Sequence, residues 1–465
     1  MTNLKNYQQE FIDAVKTLET RFPYSSAFAQ TVERSSVASS TREDKIIFPD
    51  PETGYVLTAF TGSYFIEYSS SSLTFENIKQ GVETLMSIPF SKSSETFEID
   101  PGEKLTKDFS QPIIKDPSII DIKDFLQTAR NNREEIDSLS RLIQMSMYRI
   151  GYEKRDELFI NRNKVLFQSL CRFDSMYYMV LSDGKNSSPI FDGFCKIGGF
   201  EHSFFDKSRA KVVVEDGIKV LGAPRLKPGV YDCIFSQEMA GMFAHEAFGH
   251  GMETDMFLKK RAKGEQYLGK QVASKLVNMW DNPTLGEEDP EACASFFFDN
   301  EGKLASTTHI IKDGILISGM TDLYSASKLK IPRTPNGRRE SYSHKPYARM
   351  TNTYFEKGNT SFEEMLSKVN YGYYVDYATN GMEDPKGWGI QLESLYAAEI
   401  KNGRLTGNIF SPVIVTGYVP DLLMSITAVS DQFKISSMGY CGKGHKEWVK
   451  VTDGGPHLLL KARLA

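Results

Sequence analysis

Cysteine is scarce and scattered in this chain. Five occur in 465 residues, at Cys171, Cys195, Cys233, Cys293 and Cys441, an odd number with no C-x-x-C spacing. That pattern speaks against a disulfide framework and reads mostly as small buried hydrophobes. Long apolar runs are absent, and no stretch approaches the length of a membrane span. The opening MTNLKNYQQEF lacks the charged and apolar regions of a secretory signal. A cytoplasmic protein with no membrane partner is therefore expected. Positive charge is not in excess either: 55 Lys and Arg stand against 60 Asp and Glu, a net charge of −5. Without a broad basic field, no nucleic-acid partner is expected. What remains, 40% hydrophobic and 25% charged residues, is ordinary soluble globular composition with ample material for two or three domains.

The pattern along the chain predicts an α+β fold. Leu4, Tyr7, Phe11, Val15, Leu18 and Phe22 recur at helical spacing. Residues 55–69 are rich in β-branched and aromatic residues and read as strand. A helix is expected after Thr74, and another near 121–138, with an extended connection at 90–120 between them. Residues 142–182 alternate as paired strands do. The stretch 205–227 is the candidate boundary, giving an N-terminal α+β domain at 1–220. Residues 221–465 read as a predominantly antiparallel β domain carrying the helix that follows the strand 229–235 and a few shorter helices. Turn signals at Asn300-Glu301-Gly302, Lys312-Asp313-Gly314 and Lys401-Asn402-Gly403 support this. A further helix is expected at 361–367, where Ser361 can cap it.

Histidine is also scarce, seven in all, yet two fall in the single cluster His245-Glu246-Ala247-Phe248-Gly249-His250. Two imidazoles beside a carboxylate form the residue set of a hydrolytic zinc site. Neutral imidazole binds the metal, and the carboxylate of Glu246 can take a proton from water. The usual zinc-protease spacing places the two His four apart on one helical face. Here they are five apart, which on a regular helix turns the rings away from each other by roughly 140°. The helix is therefore expected to widen or end between Phe248 and Gly251, where Gly249 and Gly251 flank His250. Ser236 is the expected N-cap, and Glu238 suits the positive end of the helix dipole. Met239, Met242, Phe243 and Phe248 predict a buried helix.

A catalytic zinc needs about three protein ligands and an open position. Cys441, in the glycine-rich MGYCGKGH, is the best remaining candidate, with Lys443 placed to favour the thiolate. His445, Glu253 and Asp255 compete for the same role. Arg338 and Arg339 form a basic pair suited to a peptide carboxylate or to a structural ion pair. His202, His309, His344 and His457 are isolated and read as structural or exposed.

The segments HEAFGHGMETD, NGRRESY, PYARMTNTYFEKG and GYCGKGH, in this order, resemble the TldD/PmbA metalloprotease family and its TldD-type subunits. The resemblance is clearest from about residue 209 to 455. It implies an α+β N-terminal domain and a β-rich domain holding one Zn²⁺ per chain. It implies His245, His250 and Cys441 as ligands and Glu246 as the catalytic carboxylate, with Asn352 and Tyr354 lining the cleft. The expected activity is zinc-dependent hydrolysis of unfolded peptides or small proteins by a homodimer, or by a heterodimer with a PmbA/TldE-type subunit. Two other readings stand beside it: a metal-dependent amidohydrolase acting on a small molecule, and a non-catalytic metal-binding subunit of a protease complex.

Overall fold

The computed structural model describes residues 2–91, 95–443 and 447–465. An eight-stranded sheet occupies the first part of the chain. Its spine runs from Phe65–Ser70 through Glu52–Phe60, Tyr24–Ser40, Ile143–Asn161 and Lys164–Ser182 to Leu105–Ser110. Asp44–Ile47 and Ser187–Ile197 pair alongside. The central strands are 17, 19 and 19 residues long, and the alternation seen in residues 142–182 is the in-and-out pleat of the last two. The helices Gln8–Leu18 and Phe75–Ser87 bury Phe11, Val15, Leu18, Ile78 and Leu85 on this sheet. Thr74 caps the second, accepting from Asn77 N. The helices Ile122–Asp137 and Lys207–Lys219 pack Phe125, Ala129, Val213 and Val214 into a separate core, with Tyr148 and Phe173.

One segment differs from the sequence reading, and the candidate boundary proves to hold a helix. Residues 90–120 are not wholly an extended connection, because Leu105–Ser110 joins the sheet parallel to Lys164–Ser169. Residues 205–227 hold the helix Lys207–Lys219, started by Asp206, whose side chain accepts from Arg209 N.

The later part forms an eleven-stranded mixed sheet that closes on itself. Thr452–Leu464 pairs with Val413–Tyr418, then Gly389–Lys401, Tyr371–Asp384 and Gly229–Phe235 follow, and the last pairs back with Thr452–Leu464. Most pairings are antiparallel. Gly229–Phe235 with Tyr371–Asp384, and Asn352–Phe355 with Thr452–Leu464, are parallel. The Asp313-Gly314 and Asn402-Gly403 turns connect hairpins, with positive φ at all four residues, as two-residue hairpin loops require. The Asn300-Glu301-Gly302 turn closes only an isolated bridge between Phe298 and Leu304. Ser361 caps the helix Phe362–Ser367 as expected.

The helix Gln237–Ala244 follows Gly229–Phe235 and is capped by Ser236, which accepts from Met239 N. Met239, Ala240, Phe243 and Ala244 are fully buried, each large side chain contributing roughly 1.5–3 kcal/mol by leaving water. The helix lies close against the C-terminal strand because both surfaces are small there. A Cβ on Gly241 would meet Gly454 N at 3.0 Å, and one on Gly455 would meet Ala240 Cβ at 2.8 Å. Among the described residues no helix is long and apolar enough to cross a membrane.

Candidate metal centre

The α-helix does not continue through the histidine cluster. From His245 to Gly249 it widens into a π-turn, in which the His250 N–H donates to the His245 carbonyl, and a 3₁₀ turn over His250–Met252 ends it. A π-turn closes its hydrogen bonds five residues apart, so it stacks side chains that an α-helix would splay. The two imidazoles accordingly lie with ring centroids 5.2 Å apart at 84°. Gly249 permits the turn to seat: a Cβ there would come within 2.1 Å of Met350 Sδ.

Cys441 arrives from the other end of the sequence. It sits in the strand Tyr440–Lys443, opposite Val449 in the strand Glu447–Lys450. Alternation exposes Tyr440 and buries Cys441. Arg349, itself buried, clamps both strands by donating to the Cys441 carbonyl at 2.6 Å and the Glu447 carbonyl at 2.9 Å. Cys441 Sγ lies 3.3 Å from His250 Nε2. One ligand atom each from His245, His250 and Cys441 falls within 4.8 Å of the others. His445 lies outside the described residues.

These residues fit a metal ion. Among the described residues, Nδ1 of His245 is buried without a partner, an expensive state for an imidazole nitrogen that a ligand would relieve. Burial pushes the Cys441 thiol up, but His250 and His245 pull it well below its usual value, toward the ligating thiolate. His250 Nδ1 is 3.3 Å from Glu253 Oε2. The carboxylate only accepts, so Nδ1 carries the proton and Nε2 turns its lone pair inward. Two imidazoles and a thiolate suit zinc among the common divalent ions.

Glu253 and Asp255 are engaged beside the centre. Both bind Lys443 Nζ, at 3.0 and 2.5 Å, and Arg349 Nε stands 3.7 Å from Glu253. Burial opposes the charge on Glu253, yet Lys443, His250 and Arg349 hold its pKa down to about 2. Lys443 is thus committed to two carboxylates and the Ala348 carbonyl; the charges that favour the Cys441 thiolate are the imidazoles.

Glu246 is half-buried, and its stem passes Gly381, where a Cβ would lie 2.7 Å from Glu246 Cγ. Two residues along the same strand, on the same face, is a group sequence reasoning missed. Among the described residues, both carboxyl oxygens of Glu383 are buried without a partner, as is Trp388 Nε1. Burial lifts the Glu383 pKa to about 9, with His250 opposing and Glu246 adding to the rise. A Cβ on Gly251 would lie 3.3 Å from Glu383 Oε1 and 3.4 Å from Trp388 Nε1, so both side chains border the turn after His250. No local motif marks Glu383; only strand register brings it there.

The remaining candidates hydrogen-bond elsewhere. Arg338 donates to the Met350 and Lys450 carbonyls. Arg339 binds Glu67 at 3.2 Å and the His344 carbonyl. Asn352 donates to the Asn282 carbonyl and Ser295 Oγ. Tyr354 packs on Phe433.

A sequence model of the PmbA/TldA metallopeptidase C-terminal domain matches residues 228–463. The chain belongs to the TldD/PmbA metallopeptidase family. Within the family, a metalloprotease of Methanocaldococcus jannaschii is 32% identical over 274 residues, 58% of this chain and 59% of that one. A zinc metalloprotease TldD homolog of Saccharolobus solfataricus is 31% identical over 245 residues, 50% of this chain and 51% of that one. The chain spans about half of the length of most of the curated relatives it matches. TldE from Thermococcus kodakarensis superposes with a TM-score of 0.73 at 15% identity, over 98% of this chain and 100% of that one. A Bacteroides thetaiotaomicron protein does so at 0.74 and 15%, over 100% of both. These two likenesses show the shared α+β fold.

Proposed function

We propose that this chain is a zinc peptidase that hydrolyses peptide bonds in unfolded peptides or small proteins. One observation carries the reading. His245, His250 and Cys441 converge on one point, and the π-turn that brings the imidazoles together also carries Glu246. We assign the first three as ligands of one Zn²⁺ and Glu246 as the catalytic carboxylate. An ion held there would supply Lewis acidity, polarising the scissile carbonyl and making water easier to deprotonate. Glu246 takes the proton from water and returns it to the leaving amine, a contribution of about 10² to 10⁴ in rate. Glu253 fixes the His250 tautomer and Arg349 fixes the Cys441 backbone, so the donors are set before the ion arrives.

An extended peptide added to a sheet edge suits a sequence-tolerant peptidase, since main-chain hydrogen bonds then supply the affinity. Arg338 and Arg339 are proposed to serve carboxylate recognition. Asn352 and Tyr354 are proposed to line the substrate cleft. The proposed assembly is a homodimer, or a heterodimer with a PmbA/TldE-type subunit, in the cytoplasm. The likeness to TldE supports a partner of the same fold. The domain division at 220/221 is likewise a proposal, supported by the absence of any strand shared between the two sheets among the described residues.

The test is digestion of an unfolded protein by the zinc-loaded chain, alone and with a TldE-type subunit, read by mass spectrometry. Glu246→Gln is expected to keep its zinc and lose cleavage. Full cleavage by that variant would remove Glu246 from the mechanism, and zinc-loaded protein that cuts only small amides would favour an amidohydrolase.

A further inference from the structure

A polar pocket lined by none of His245, His250 and Cys441 lies at the seam between the two sheets. Its floor is built of arginine. Arg155 and Arg172 come from two long strands of the first sheet, and Arg338 and Arg339 from the NGRRESY segment. The cavity measures ≈ 50 Å³, enough for a small ion and too little for an organic cofactor. Its rim carries Tyr440 and Trp448, exposed by 56% and 48%, so solutes reach the mouth. The floor is closed: Arg172, Arg338 and Arg339 are 7%, 7% and 5% exposed.

The buried charges do not balance. Glu153 bonds Arg34 at 2.7 Å and contacts Arg155 at 3.3 Å, and Arg172 reaches it only at 3.9 Å. Glu157 is taken up by Arg155, Gln168 and Asn300. Asp299 turns to Arg333 and to the Gly337 N–H, and Glu340 to Trp448 N and His344. Arg338 has no carboxylate partner among the described residues; it reaches only two backbone carbonyls. Among the described residues, the Nε atoms of Arg172 and Arg339 are buried with no hydrogen-bond partner, and Arg155 Nε has only its ion contact with Glu153. A buried, uncompensated guanidinium is costly, and a bidentate oxyanion is the ligand its planar fork fits.

We propose that this pocket is a binding site for a small oxyanion, the carboxylate of a peptide C-terminus or a free phosphate, held by Arg172 and Arg338. Burial, with Arg172 and Arg349 as like-charged neighbours, pushes Arg338 down to about 9, the strain that an anion would release. Arg338 also ties the pocket to backbone near the metal centre. Arg338 holds the carbonyls of Met350, which packs on Gly249, and of Lys450, which pairs with Tyr440 beside Cys441.

The experiment is isothermal titration of the full metal-free chain at constant ionic strength, needing neither zinc nor cleavage. Three probes are used: inorganic phosphate, a short unstructured peptide with a free C-terminus, and the same peptide amidated. Saturable one-to-one binding of phosphate, or of the free acid in preference to the amide, is expected. Arg172→Gln should weaken it at least about tenfold, the usual worth of a charged hydrogen bond. Arg338→Lys, which keeps a donor for the two carbonyls, should weaken it as well and serves if the first variant does not fold. Phosphate alone would identify a free anion, and free acid alone a peptide terminus. No saturable binding beyond that of chloride, or binding undiminished in the folded variants, would overturn the site.

Discussion

Glu253→Gln is the substitution that best separates the support of the metal centre from its ligands. The side chain keeps its size and loses its charge. Glu253 is 1% exposed and meets His250 Nδ1 at 3.3 Å, Lys443 Nζ at 3.0 Å and Arg349 Nε at 3.7 Å. Removing one partner from a buried ion cluster costs about 3–5 kcal/mol. Lys443 keeps Asp255 at 2.5 Å and Arg349 keeps its two carbonyls, so the loss should fall at the lower end, about 3 kcal/mol. The amide also offers donors toward the His250 Nδ1–H, loosening the ring, and outer contacts of this kind are worth about 10–100-fold in metal affinity. The assays are chemical denaturation of the metal-free protein and zinc titration against a competing chelator. Parental zinc affinity in a folded Gln variant would refute the claim that Glu253 orients His250.

Gly249→Ala places a methyl 2.1 Å from the buried Met350 Sδ. It should destabilise by about 1–3 kcal/mol, as overpacking does, and weaken zinc binding. A parental denaturation midpoint would show that the turn tolerates the side chain. Glu301 gives a pH prediction. Burial, with Asp322 and Asp299 adding to it against Arg333, raises its pKa to about 8. The folded state thus holds this proton more tightly than the unfolded chain. The stability it contributes is complete below the unfolded value of 4.5 and is lost as pH rises through about 8. Glu301→Gln, which cannot ionise, should gain stability relative to the parent between about pH 5 and pH 9. Parallel melting-temperature profiles for the two proteins would contradict this.

Local chemistry made much of this molecule legible. The five-residue histidine spacing demanded a distorted helix, and the π-turn supplies it. Caps at Thr74, Ser236 and Ser361, the Asp313-Gly314 and Asn402-Gly403 turns, and the paired strands of 142–182 all follow from nearest neighbours. What escaped was set by contacts distant in sequence. Leu105–Ser110 becomes a strand only because Lys164–Ser169 accepts it in parallel register. Arg349 reads as an ordinary member of a motif until it is seen gripping a hairpin 92 residues away. Lys443 beside Cys441 invites a thiolate role, but Glu253 and Asp255, folded against it from the other side, claim its charge. Glu383 reaches the site through sheet register alone, without any spacing a reader of the sequence would notice.

Sulfur and two imidazoles are proposed to share one ion. X-ray absorption at the zinc edge of the reconstituted chain tests this directly. It should show one zinc per chain with two nitrogen neighbours near about 2.0 Å and one sulfur near about 2.3 Å, and Cys441→Ala should lose the sulfur and most of the metal. A zinc shell without sulfur, or an unchanged zinc content in the Cys441→Ala protein, would contradict it.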